Sequence, residues 1–120
     1  MKALGVAGVI VGLAVGSPWA VQDTTKKAYI VVQIDVTNPQ QYAEYTRLSP
    51  GIIAKFGGRF VARGGRAVTL EGPPARGRVV VVEFPSFDRA REFYNSPEYQ
   101  AAKKLRDGAA NAQFILVEGQ

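Results

Sequence analysis

Phe56-Gly57-Gly58-Arg59-Phe60-Val61-Ala62-Arg63-Gly64-Gly65-Arg66, FGGRFVARGGR in single letters, decides the fold. Gly57 and Gly58 supply the left-handed backbone that stops a helix. Gly64-Gly65 is a hairpin-turn signal flanked by strand formers. Between them runs a short strand in which Arg59, Val61 and Arg63 alternate with Phe60 and Ala62. Strict alternation puts two cations on a sheet surface that is ordinarily apolar or neutral.

Upstream, Ala28 to Val36 (AYIVVQIDV) is a strand, β-branched and aromatic, and bounded by Thr37-Asn38-Pro39. Asn38 suits a helix cap and Pro39 the first helical position. The helix runs through Tyr42, Tyr45 and Leu48 to Ser49-Pro50, where proline removes a hydrogen bond and clashes one turn back. A kink or restart is expected there, with Ser49 as the new cap. Ile52, Ile53 and Phe56 then carry the apolar face to the glycines.

Downstream, Ala67 to Glu71 reads as a short return strand, and Gly72-Pro73-Pro74-Ala75-Arg76-Gly77 as a loop, because adjacent prolines cannot join a ladder. Arg78 to Phe84 (RVVVVEF) has the composition of a central strand. Pro85 ends it, Ser86 caps, and Asp88 sits well in the first turn of the next helix. That helix carries Phe87, Ala90, Phe93 and Tyr94, meets Asn95-Ser96-Pro97, and restarts through Tyr99, Ala102 and Leu105 to Gly108. Gln113 to Glu118 is a last strand.

The order is β-α-β-β-α-β, and the halves match: Pro50 and Pro97 fall 47 positions apart, and the strands at Tyr29 and Arg78 fall 49 apart. This is the split βαβ of a ferredoxin-like α+β fold, an antiparallel four-stranded sheet with both helices on one face. The other face is left for water or a second chain. Ile30, Val32, Ile34 and Val36 suit the helix side, as do Val80, Val82 and Phe84 together with Arg78. The open side then holds Tyr29, Val31, Gln33, Asp35, Arg59, Val61, Arg63, Val79, Val81 and Glu83. Its valines argue for burial against a second sheet in a homodimer, and its polar members for something wet enclosed there.

Composition narrows the chemistry. The chain of 120 residues is one domain plus a short extension, and its net charge of +5 is a mild basic excess. It has no Cys and no His. A disulfide, a thiolate nucleophile, a zinc–thiolate site and a proximal haem histidine are therefore excluded. Any reaction must run on carboxylates, Tyr, Ser, Lys or Arg, and no metal or cofactor is expected.

Met1-Lys2 precedes an uncharged run from Ala3 to Gly16. A charged start followed by about 7–15 apolar residues is the pattern of a signal peptide. A spanning helix wants roughly 20, and Gly5, Gly8, Gly12 and Gly16 weaken this one. Residues 1–24 are thus read as an export signal plus linker and residues 25–120 as the domain, periplasmic or secreted and free of the membrane after cleavage. An uncleaved anchor is the alternative.

The combination of Phe56-Gly57-Gly58-Arg59-Phe60, Arg63-Gly64-Gly65, Glu71-Gly72, Glu83-Phe84-Pro85-Ser86-Phe87, Phe93-Tyr94-Asn95-Ser96-Pro97-Glu98-Tyr99-Gln100 and Leu105-Arg106 resembles the domain-of-unknown-function 1330 family (DUF1330). The resemblance covers Ala28 to the end. It implies a dimeric α+β barrel, two ferredoxin-like sheets packed face to face, in a family without an established activity. Related barrels include cofactor-free monooxygenases and haem-handling enzymes; the missing His disfavours the latter.

Arg63 and Glu83 stand out as a pair that either orients a polar ligand or closes the dimer as an ion pair. Gln33 and Tyr29 add hydrogen-bonding groups. A ligand held there is small, polar and partly anionic or carbonyl-bearing. Ser96 reads as a cap, because no base accompanies it. No catalytic residue is assigned. The competing function classes are a small-ligand-binding or weakly catalytic dimer, with its cavity between sheet and helices or between sheets, and an interaction dimer without a pocket. RNA-recognition domains share the element order, but Val79 and Val81 occupy the places of their stacking rings and Gly77 that of a cation, so no nucleic-acid partner is expected.

Overall fold

A computed structural model describes residues 25–120. The segment read as an export signal lies outside them. Among the described residues four strands and three helices form, in the order β1 (Ala28–Val36), α1 (Pro39–Lys55), β2 (Arg59–Ala62), β3 (Arg78–Phe84), α2 (Phe87–Asn95), α3 (Pro97–Lys104) and β4 (Ala110–Glu118). The sheet order is β2-β3-β1-β4, with every neighbour antiparallel. This is the ferredoxin-like α+β arrangement. No described helix is long and apolar enough to cross a membrane.

The caps work as their chemistry dictates. Asn38 accepts from the Gln41 amide at 3.2 Å ahead of Pro39, and Ser86 accepts from the Arg89 amide at 3.0 Å. Ser96 accepts from the Tyr99 amide at 3.1 Å and, held extended before Pro97, ends α2 and starts α3. The Ser49-Pro50 pair behaves differently, because α1 runs unbroken through Pro50. Tyr45, Ser49 and Ile53, spaced by four, form its one buried stripe. A restart at Pro50 would break that stripe, so the helix gives up one hydrogen bond instead. The expected Ser-Pro interruption therefore occurs only in the second half.

The core fills the space between sheet and helices with Ile30, Val32, Ile34, Val82 and Phe84 below and Tyr45, Ile53, Ala90, Phe93 and Tyr99 above. Gly57, at φ 82°, closes α1. Gly58 admits no side chain, since a β-carbon there would sit 2.7 Å from Phe84 Cε1 and 2.8 Å from Ile53 Cγ2. The FGG turn is thus a packing requirement as well as a helix stop.

Two expectations fail in the β2–β3 connection. Ala67–Glu71 forms no strand, and Gly64-Gly65 does not make a tight hairpin. The chain instead makes an excursion over residues 63–77 before β3 begins. β2 is short and its ladder is already irregular: Phe60 faces Val82, but Ala62 faces Val81. Among the described residues the segment 67–71 pairs with no strand, and β2 stays an edge strand. At the other end of the sheet, β4 begins at Ala110, earlier than the Gln113 expected.

Candidate functional site

The irregularity in β2 decides where the arginines go. A bulge inserts one residue and reverses the alternation beyond it. Arg59 pairs with Glu83 on the open face, as alternation predicts, and Ala62 joins that face opposite Val81. Arg63 consequently falls on the helix side. It does not reach the open face assigned to it, and the expected Arg63–Glu83 pair does not form.

The open face retains Tyr29, Gln33 and Glu83. Tyr29 stands opposite Glu83 and Val117, Val31 opposite Val81 and Ile115, and Gln33 opposite Val79 and Gln113. The Glu83 side chain is only 12% exposed and accepts from Arg59 Nε at 2.9 Å, with Lys27 Nζ at 3.8 Å. The Tyr29 hydroxyl donates to it at 3.2 Å. Chiefly the Arg59 hydrogen bond, with help from Tyr29, holds the Glu83 carboxyl below the ordinary carboxylate value. Burial and the bond to Glu83 raise the Tyr29 phenol. Gln33 lies beyond the Val31–Val81 row from this cluster and accepts a long contact from the Arg76 amide, 3.4 Å. Glu83 is therefore already saturated by its own chain.

On the helix side, α1 packs chiefly on α3 and leaves a cavity of about 70 Å³ above the sheet. Ile30, Val32, Ile34, Val80 and Val82 form its floor, and Tyr42, Tyr45, Thr46 and Ser49 its α1 wall. Arg63 and Arg78 bring two guanidinium groups to its rim. The Arg63 guanidinium lies 4.2 Å from the Phe60 ring centre and that of Arg78 5.5 Å from the Tyr42 ring centre, so both are held by aromatic faces. Neither forms a salt bridge among the described residues, and no acidic side chain lines the cavity. Burial raises the Tyr42 phenol against the opposing pull of Arg78.

Behind this chamber the Tyr45 and Tyr99 hydroxyls meet at 2.8 Å. Burial, reinforced by Tyr99, pushes the Tyr45 phenol far up and keeps it neutral. Arg106, 8% exposed, places its guanidinium 5.0 Å from the Tyr45 ring centre and 5.2 Å from that of Phe114. Its Nε has no hydrogen-bond partner among the described residues. Among the described residues no cluster of three metal-ligating side chains forms.

Of the residues singled out from sequence, Tyr29 and Glu83 meet, Gln33 shares their face but stands apart beyond Val31 and Val81, and Arg63 belongs to a different site. Arg78, Tyr42 and the Tyr45–Tyr99–Arg106 cluster were missed. The available signal was Arg78 itself, a cation sharing the alternation of Val80, Val82 and Phe84.

No curated protein matches the chain. Among solved structures, the chain is similar to the RPA0582 protein of unknown function from Rhodopseudomonas palustris, with 21% identity over 88% of this chain and 95% of that one and a TM-score of 0.65. It is also similar to SnoaB, a cofactor-independent oxygenase from Streptomyces nogalater, with 11% identity over 80% and 95% of the two chains and a TM-score of 0.52. At such identities the likeness is one of fold. The model of the family described as "Domain of unknown function (DUF1330)" matches residues 27–120, and the chain belongs to that family.

Proposed function

We propose that this is an exported homodimer that binds a small carboxylate or other carbonyl-bearing anion in the chamber between α1 and the sheet. The observation that carries the reading is the convergence of Arg63 and Arg78 on a cavity without an acidic side chain. Two unneutralised cations beside an apolar floor favour an anionic head with an apolar body. About 70 Å³ accommodates about five water-sized groups, so the buried part is the size of a short oxo- or hydroxy-acid. Arg63 thus keeps the anchoring role expected of it, with Arg78 and Tyr42 as its partners in place of Glu83, Gln33 and Tyr29.

The open sheet face supports the dimer. Val31, Val81, Ile115 and Val117 form an apolar band across three strands that no described helix covers, and such a band is suited to a second sheet. Tyr29, Glu83 and Arg59 then sit within the interface as an orienting polar cluster.

A thermal-shift screen of short carboxylates, with quinones and aromatic acids as larger comparators, tests the ligand. A ligand at 100 times its Kd adds about 2.7 kcal/mol of stability. Hits that stabilise Arg63→Ala as well as wild type would remove the proposed anchor. Light scattering tests the dimer: Ile115→Lys should yield a folded monomer, and a wild type that is itself monomeric at micromolar concentration contradicts the face-to-face arrangement.

A further inference from the structure

The excursion over residues 63–77 is built as a finger. Gly72, at φ 88°, turns it, and the Thr69 hydroxyl accepts from the Ala75 amide at 2.9 Å, tying the outgoing limb to the returning one. The outgoing limb, Arg66-Ala67-Val68-Thr69-Leu70-Glu71, has strand composition. Among the described residues none of the finger's backbone groups makes a backbone–backbone hydrogen bond. Val68 and Leu70, two apart and on one side of an extended chain, are 80% and 92% exposed, the most exposed large apolar residues described.

The sheet offers a matching vacancy at its far side. Among the described residues β4 pairs only with β1, which leaves its outer edge without a neighbour over Ala110–Glu118. Beside that edge, between α2 and β4, runs a groove of about 320 Å³ lined by Ala90, Tyr94, Phe114 and Leu116, with Arg91 and Asn95 at its rim. The finger leaves the edge strand β2, whereas the groove lies beside the other edge strand, β4, and the single copy leaves Val68 and Leu70 exposed, so the occupant considered is the finger of a second copy. If two copies face each other across a two-fold axis parallel to the strands, the β2 edge of one lies over the β4 edge of the other. That is the placement the finger needs.

We propose that residues 66–71 of one copy dock along β4 of a second copy, adding a strand to that edge and seating Val68 and Leu70 in the α2–β4 groove. The inference rests on the dimer reading above and deepens it. It also links the dimer to the ligand chamber, because Arg63 opens the finger and Arg78 follows it directly. Docking the finger on a partner fixes both ends of the excursion, where the two rim cations stand.

The test measures the dimer dissociation constant of wild type and of the Val68→Glu/Leu70→Glu variant by analytical ultracentrifugation. Both positions are exposed in the single copy, so the variant folds. The expected result is a dimer weakened by about 30-fold or more. The absence of natural cysteines permits a second readout. Leu70→Cys protein and separately tagged Asn95→Cys protein, mixed and treated with a short bismaleimide, should give a covalent heterodimer in excess of either protein alone. A dimeric wild type with unchanged affinity in the double variant and no excess cross-link overturns finger docking while leaving the face-to-face dimer intact. A monomeric wild type overturns the dimer itself.

Discussion

Arg59 Nε lies 2.9 Å from Glu83 Oε1, and this contact, not one from Arg63, completes the polar cluster at the Tyr29 end of the open sheet face. The difference comes from one extra residue in β2. It divides the two arginines of FGGRFVAR between opposite faces, one for an internal ion pair and one for the rim of a chamber.

The Glu83 cluster makes stability depend on pH. Its carboxyl is depressed in the folded state, chiefly by Arg59, so the stabilisation is present above the ordinary carboxylate value and is lost as pH falls through the folded value, from roughly pH 4 downward. The raised Tyr29 phenol acts at the other limit, and its contribution declines as pH rises beyond the ordinary phenol range near about 10. Urea unfolding across pH should show the acid loss in wild type and a flatter acid limb in Glu83→Gln.

The buried Tyr45–Tyr99 hydroxyl pair predicts a non-additive mutant cycle. Either single Phe substitution leaves a buried hydroxyl without its partner and should cost about 1–3 kcal/mol, whereas the double substitution removes both polar groups and should cost less than the sum. Equilibrium urea denaturation of the four proteins measures the coupling.

Gly58→Ala should destabilise by about 1–3 kcal/mol, because the added methyl overlaps Phe84 and Ile53. Gly65→Ala, where nothing lies within 4 Å and φ is not positive, should leave the denaturation midpoint nearly unchanged.

Much of the fold was legible in the sequence because alternation and capping are local. The inward run of β1, the Asn38, Ser86 and Ser96 caps and the Gly57 stop all follow from neighbouring residues. The break at Pro50 was misread because proline's local penalty competes with the buried stripe Tyr45–Ser49–Ile53, which only the packed structure brings into play. The site was less legible. A bulge leaves no composition signal, so strict alternation carried Arg63 to the wrong face. The Tyr45–Tyr99 contact spans 54 positions, and nothing local joins the two. The strand character of Ala67–Glu71 was visible, but the segment pairs with no strand among the described residues, so composition alone did not make it one.

The central claim is that Arg63 and Arg78 together hold an anion between α1 and the sheet. The most direct measurement is isothermal titration of the best carboxylate from the thermal screen, and of its uncharged amide, into wild type, Arg63→Ala, Arg78→Ala and Arg59→Ala. The account predicts that each chamber variant loses about tenfold or more in affinity for the acid, as expected for removal of a charge-assisted hydrogen bond. It also predicts that the amide binds weakly to every protein and that Arg59→Ala binds the acid as wild type does. Equal affinity for acid and amide, or loss of binding in Arg59→Ala alone, would contradict it and move the site to the open face.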